Sequence, residues 1–343
     1  MKKIFFLFLI CFLIFALCSC EKEKERFTDY SFDYFDTATT IVGFANSKEE
    51  FDTVVAEIKT QLGEYHKLYT IYNRYDGLNN LRIINVTEGE VEVDSRIIDM
   101  LLFSKEMYSL TGGKTNIAMG SVLSIWHSYR DWGSRHPEEA ELPPMDKLFE
   151  ASAYTDIESI KIDKEKGTVE RLDGKVTLDV GAIAKGYAVA RVADYLREKG
   201  IEGYLLNVGG NVCTIGARPD GTKWSVGVEN PTGDESEPYV AYLSLAGESV
   251  VTSGAYQRYY FVDGERYHHI IDPETLMPGV NYLSVSVICL DSGVGDALST
   301  ALFCMDIDEG QKLVENTENV EAMWILQSGE RIYSSGFKNY TYK

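Results

Sequence analysis

Positive charge is what this 343-residue chain has too little of: 33 Lys and Arg stand against 53 Asp and Glu, a net charge of -20. No basic cluster makes up the deficit locally. Such a surface repels phosphate backbones and anionic headgroups alike, which excludes nucleic-acid binding by phosphate neutralisation and leaves membrane association to an anchor. Long apolar runs are missing too, since the longest, from Ile4 to Leu17, is shorter than a confident spanning helix. There is no Walker A loop, G-x-G-x-x-G, H-E-x-x-H, CxxC or G-x-S-x-G, so the common nucleotide and protease chemistries lose their support. Internal repeats are absent as well.

What is there is a foldable chain, 45% hydrophobic and 25% charged, long enough for one large domain or two ordinary ones. Lys2 and Lys3 precede the apolar run, the pattern of a secretory signal. The run ends in Leu17-Cys18-Ser19-Cys20, followed by the charged stretch from Glu21 to Arg26, and this resembles a bacterial lipobox with Cys20 as the lipidated residue. The alternative is a plain signal whose cysteines are incidental. The sequence therefore divides into a signal (1–19), a tether from the lipidated cysteine (20–30) and a folded domain (31–343). Cleavage removes two of the 33 basic residues, leaving 31 against 53 acidic ones, a mature net charge of -22. Only Cys213, Cys289 and Cys304 then remain in the domain. Three cysteines in apolar surroundings read as buried thiols rather than a disulfide framework.

Residues 33–45 mix aromatic and β-branched types as a strand does, and helical spacing follows at 49–68 and 95–111, the latter stopped by Gly112-Gly113. A third element at 117–129 leads into a Gly-, Pro- and charge-rich loop at 131–144. Beyond it, short strands are expected at 160–162, 168–170, 203–206, 224–228, 239–245, 249–253, 259–262 and 283–289. Helices are expected at 181–199, 296–304 and 308–317, and a hairpin around Ser328-Gly329. Mixed runs rather than strict βαβ alternation argue for an α+β fold, with mixed or antiparallel sheets packed against helices.

Four segments carry candidate chemistry. Leu178-Asp179-Val180-Gly181-Ala182-Ile183-Ala184-Lys185-Gly186 opens a helix with small residues, which suits either an anion at free backbone N–H groups beside Lys185 or tight packing of the helix; the two are compatible. In Asp296-Ala297-Leu298-Ser299-Thr300 a carboxylate and a hydroxyl four residues apart share a helix face, suiting a hard cation such as Mg²⁺, or else an Asp that stabilises its own helix. In Tyr267-His268-His269-Ile270-Ile271-Asp272-Pro273, strand alternation sends the two histidines to opposite faces, so one can meet a substrate as a neutral proton acceptor while the other is structural. Asn207-Val208-Gly209-Gly210-Asn211 is either a turn or a close backbone approach to a ligand.

Taken together in their chain order, 178–186, 207–211, Ser253-Gly254-Ala255-Tyr256-Gln257-Arg258, 267–273 and 296–300, these segments resemble the ApbE family of FAD:protein FMN transferases. The likeness runs from about Phe35 to Phe303. It implies an ApbE-like, T-fold-like architecture and a lipoprotein on the extracytoplasmic side of the cell membrane, periplasmic or extracellular. The implied reaction takes FAD as substrate with Mg²⁺ and attaches FMN to a Thr or Ser of an acceptor flavoprotein or membrane redox-complex subunit, with release of AMP. By the same resemblance, the carbonyl of Ala182 and the side chains of Asp296 and Thr300 hold the metal. Phe35, Tyr72, Asn116, Ala118, Met119, Asp179, Lys185 and Ile270 bind FAD, and His269 activates the acceptor hydroxyl. The acceptor motif is expected to be close to (S/T)-G-A-(S/T).

Two departures stand out. Leu276 occupies the place of the family's usual Gly after Asp272-Pro273-Glu274-Thr275; if that Gly has φ > 0, the turn here must adjust or be strained. Asp76-Gly77-Leu78 is a degenerate version of an early family segment. Two other readings stay open: the same site with water as acceptor, a Mg²⁺-dependent FAD pyrophosphatase giving FMN and AMP, and a non-catalytic FAD-binding lipoprotein.

Overall fold

The structure is a computed structural model that describes residues 23–342. The signal, the lipobox-like stretch and Cys20 lie outside the described residues. No helix among the described residues is long and apolar enough to cross a membrane.

An eight-stranded sheet forms the frame, in the order β1 (Glu25–Tyr34), β2 (Thr37–Ala45), β6 (Tyr204–Val208), β7 (Asn211–Ile215), β10 (Ser249–Gly254), β13 (Tyr282–Cys289), β14 (Glu321–Leu326) and β15 (Arg331–Tyr333). Every neighbouring pair in it is antiparallel. Alternation along the strands splits the core in two. Ile41, Leu206 and Cys213 face helices α1 (Lys48–Tyr69), α3 (Ser95–Leu110) and α6 (Ala184–Glu198), while Val42, Val250 and Ile288 face the separate ribbon of β8 (Trp224–Glu229) and β9 (Tyr239–Leu245). A third cluster buries α7 (Ser292–Phe303) against β13 and β14, next to α8 (Ile307–Glu315). Two smaller units complete the chain. One is the sheet of β3 (Glu90–Glu92), β5 (Thr168–Arg171) and β4 (Ile160–Asp163) beside the short α2 (Leu81–Val86). The other is the hairpin of β11 (Tyr259–Val262) and β12 (Glu265–His268), which packs on α4 (Gly120–Arg135) near α5 (Met145–Ser152). The α+β class expected from the sequence is the architecture that forms.

The strongly periodic helices sit where the spacing puts them, helped by side-chain caps: Ser47 accepts from Glu50 N at the start of α1 and Asp94 from Arg96 N at the start of α3. Three expectations change. The single strand at 33–45 is a hairpin whose two turn residues, Phe35 and Asp36, both have positive φ (53° and 51°), so the chain reverses without a glycine to announce it. Its first strand starts at Glu25, inside the stretch 20–30 read as a tether. The loop at 131–144 begins later, because α4 runs to Arg135 and a short 3₁₀ turn, Pro137–Glu139, follows. The three cysteines are buried and unpaired, and burial pushes all three thiols up from their ordinary range.

Candidate active site

A cleft of ≈ 790 Å³ opens where the β1–β2 turn, the loop after α1, the start of α4, the entrance to α6, the end of β10, the segment after β12 and α7 converge. Its lining includes eleven of the residues singled out in the sequence: Phe35, Tyr72, Asn116, Met119, Asp179, Ala182, Lys185, His269, Ile270, Asp296 and Thr300. Ala118 is not among them; its methyl is fully buried in the helical core, because Asn116 Oδ1 accepts the Ala118 N–H and folds the chain inward there.

One wall is made by two helices in backbone contact. A Cβ on Gly186 would lie 2.2 Å from the carbonyl oxygen of Ser292 and 2.5 Å from Cβ of Asp296, so glycine is what lets α6 and α7 meet. That approach also places the Gly186 N–H, one of the first-turn donors that a helix leaves unpaired, 2.8 Å from Asp296 Oδ2. Tight packing and a poised helix start are thus one feature. Asp296 does not cap its own helix; Asp291 does, accepting from the N–H groups of Gly293 and Val294. Lys185 Nζ lies 3.6 Å from Asp296 Oδ2 and donates to the Gly181 carbonyl. Burial pushes the Asp296 carboxyl up, and Lys185, the Gly186 N–H and the neighbouring amide of Asn211 pull it back without cancelling that rise. Asn211, nearly fully buried, has no well-formed hydrogen bond at either amide atom. Thr300 follows one turn after Asp296, its hydroxyl 3.4 Å from Ser253 Oγ. The Gly209-Gly210 pair is the β6–β7 turn (φ 57° and 91°), as the first of its two sequence readings has it, and Gly209 also lines the cleft.

The two histidines part as strand alternation requires. His268 is structural: its Nε2 donates to the Gly279 carbonyl at 2.7 Å, and its Nδ1 accepts from Ile270 N at 3.2 Å. His269 faces the cleft with Nδ1 buried and without a hydrogen-bond partner. Burial first, and then the cations Arg258, Lys185 and Arg130 together with the neighbouring His268, push its pKa down to about 3, so the ring is neutral at pH 7.

The other wall carries groups that the sequence reading passed over. His127 and Arg130 of α4 line the cleft with Leu123, at the i, i+4 and i+7 spacing of one helix face, a signal available in the sequence. The Tyr72 hydroxyl lies 3.3 Å from His127 Nδ1, and His127 Nε2 is 3.9 Å from Asp179 Oδ2, whose other oxygen accepts the Gly181 N–H. Burial lowers the His127 pKa against the pull of Asp179. Arg258, quoted in a motif but given no role, donates to the Asp36 carbonyl and ties the β1–β2 turn to the far side of the cleft. Phe35 is held by its N–H to His66 Nδ1. Lys114, nearly buried, bridges Asp272 and Glu274 at 3.0 and 3.1 Å. A chain with net charge -20 thus gathers Lys185, Arg130, Arg258 and Lys114 around one cleft.

The chain is 31% identical over 279 residues to a FAD:protein FMN transferase of Klebsiella pneumoniae, covering 78% of this chain and 84% of that one. A FAD:protein FMN transferase of Treponema pallidum is 30% identical over 293 residues, 81% of this chain and 78% of its own. In three dimensions the chain resembles the crystal structure of the ApbE protein from Thermotoga maritima, with a TM-score of 0.81 and 27% identity over 93% of this chain and 100% of the other. The sequence profile of the ApbE family matches residues 31–324, and the chain belongs to that family.

Proposed function

We propose that this chain is a Mg²⁺-dependent FAD:protein FMN transferase, tethered through Cys20 to the extracytoplasmic face of the cell membrane. It transfers FMN from FAD to a Thr or Ser of an acceptor flavoprotein and releases AMP. The observation that carries the reading is the meeting, in one cleft, of Lys185, a buried Asp296 held by the N–H of Gly186 at the start of α6, and an unpartnered neutral His269.

Each group has a defined task in that reaction. The start of α6, Lys185, Arg130 and Arg258 draw the pyrophosphate of FAD into an otherwise acidic molecule. Asp179, Tyr72, Met119 and Phe35 flank the space left for the flavin nucleotide. The acceptor hydroxyl oxygen forms a bond to the flavin-side phosphorus, the bond from that phosphorus to the bridging oxygen breaks, and AMP leaves with the bridging oxygen. The hydroxyl proton passes to His269, which is neutral and has a free Nδ1. Burial, and then the cations around His269, keep it a weak base, and the negative pyrophosphate of FAD would offset the cations' share.

The donors present suit a hard cation. They are oxygens from Asp296, Thr300 and the carbonyl of Ala182, beside the unsatisfied amide of Asn211, and no cluster of three or more His, Cys, Asp or Glu side chains occurs among the described residues. So sparse a set leaves positions for water and substrate phosphate, as Mg²⁺ prefers. When bound, the ion would neutralise charge developing on the pyrophosphate oxygens.

The test incubates the mature protein with FAD and Mg²⁺, with and without a soluble acceptor domain displaying Ser-Gly-Ala-Thr, and follows nucleotides and acceptor mass. AMP release matched by a gain of one FMN on the acceptor is expected. AMP and free FMN with an unmodified acceptor would mean that water attacks, and intact bound FAD would mean a binding protein. Asp296→Ala is expected to lower turnover by about 10²- to 10³-fold with the fold retained. His269→Ala is expected to bind FAD while losing transfer by about 10²- to 10⁴-fold; normal rates would remove His269 from the mechanism.

A further inference from the structure

The transferase reading requires a second polypeptide to bring its hydroxyl to the cleft, and one edge of the main sheet leads there. β1 is the outermost strand, pairing with β2 on one side and with no strand on the other among the described residues. Exposed edges of this length are normally shortened, covered or charged, because their free N–H and C=O groups invite pairing. Here the stretch from Thr28 to Phe32 instead displays Tyr30, 70% exposed, and Phe32, 77% exposed. The opposite face of the same strand is occupied: Asp29 pairs with Lys59, and Phe27 packs on Phe51.

The strand also changes character as it reaches the cleft. The β1–β2 register shifts between Ser31 and Tyr34, so two β1 residues oppose the single Ala38. A bulge of this kind re-aims a side chain and ends regular pairing, and it is common beside active sites. Phe32 sits in it and lines the cleft, followed by Phe35, Asp36 and Thr37 of the turn that Arg258 holds. Regular edge and reaction cleft are therefore continuous along one strand.

We propose that the acceptor protein docks by adding an extended segment to the free edge of β1, across Thr28 to Ser31, and that the bulge releases this segment beside Phe32 so that its hydroxyl residue enters the cleft. The inference rests on the transferase reading. Backbone pairing supplies affinity with little demand on sequence, and Tyr30 and Phe32 give the added strand aromatic cross-strand neighbours. An acceptor of this kind carries a small-residue, extended stretch without a run of acidic side chains, since the enzyme is itself strongly acidic.

The experiment compares the wild type with Tyr30→Lys, a change at an exposed side chain outside the cleft lining, using the same soluble acceptor domain. Amide hydrogen exchange of β1 is followed in parallel, on FAD-loaded enzyme with and without acceptor. We expect the acceptor KM to rise about tenfold with kcat and FAD affinity unchanged, and acceptor to slow exchange at 28–31 in the wild type. Transfer by the wild type with neither β1 protection nor a KM change in the variant would overturn the docking site and leave the transferase intact. Protection of β1 without acceptor, growing with enzyme concentration, would assign the edge to a second copy of this chain and also overturn it. Absence of any FMN transfer by the wild type would remove the transferase reading and this proposal with it.

Discussion

The two walls of the cleft are built on different principles. On one, α6 and α7 touch at the level of the backbone, with Gly186 against Ser292 and its N–H on Asp296, so the geometry of the carboxylate is fixed by packing that exists before any ligand arrives. On the other, Tyr72, His127 and Arg130 reach the cleft from a loop and a helix face, and Tyr72 is 63% exposed. The difference separates two demands on a nucleotide site: groups that meet developing charge must not reorganise, whereas groups that hold a ring can adjust as it binds. The first wall should couple activity to stability. The second should not.

The sharpest test of that contrast is a pair of substitutions. Gly186→Ala forces a methyl into the Ser292 carbonyl and Asp296, and the helices must part; we expect a stability loss of about 1–3 kcal/mol in urea titration together with loss of at least ~10²-fold in transfer. Tyr72→Ala removes an exposed side chain, so stability should stay within about 0.5 kcal/mol while KM for FAD rises about tenfold. Equal stability losses in the two variants would erase the distinction between the walls.

The adjacent histidines offer a second, smaller contrast. Both are neutral in the fold, with values pushed down by burial from 6.5 to about 4 for His268 and about 3 for His269. The unfolded chain therefore takes up protons first, so stability is full above about pH 7 and falls as pH drops through about 6.5 toward 4, by about 1.4 kcal/mol per unit for each ring. His268→Gln should flatten that slope by one such share in urea titrations at about pH 7, 6 and 5. Saturating FAD should diminish the His269 share alone, because of the two rings only His269 lines the cleft. A slope indifferent to FAD would place His269 outside the anion's reach.

How much of this was legible in the sequence follows the range of the interactions. The spacing that predicts a helix at 49–68 meets α1 at Lys48–Tyr69, since caps and periodicity are local. Alternation alone separated His268 from His269. The β1–β2 turn was hidden because Phe35 and Asp36 adopt left-handed backbone that residue type does not advertise. Asp296 was legible as a site residue, but its true partner was not: the Gly186 N–H is 110 residues away, and only the meeting of two helices joins them. His127 and Arg130 had a helical signal that went unused, because the resemblance tied only Met119, at the very start of α4, to the site.

The smallest expected effect concerns the tie between α4 and the strand of His269. Leu276, where the family favours Gly, holds φ = 60°, so the turn keeps a left-handed residue instead of adjusting, and it is 2% exposed. Its N–H donates to the Asp272 carbonyl and its own carbonyl accepts from Trp126 Nε1 at 2.9 Å, so the strained turn fastens α4 to the segment that carries His269. Truncation to Ala loses the buried side chain yet keeps a Cβ in the left-handed region; truncation to Gly loses the same packing but sheds a penalty of about 1–2 kcal/mol. At an ordinary position Gly is the less stable of the two by about 0.5–1 kcal/mol, so the expected order here, Leu276 above Leu276→Gly above Leu276→Ala in thermal unfolding, inverts the usual rule. Were Ala the more stable replacement, the turn would carry no strain, and the second wall would be as relaxed at its base as it is at its rim.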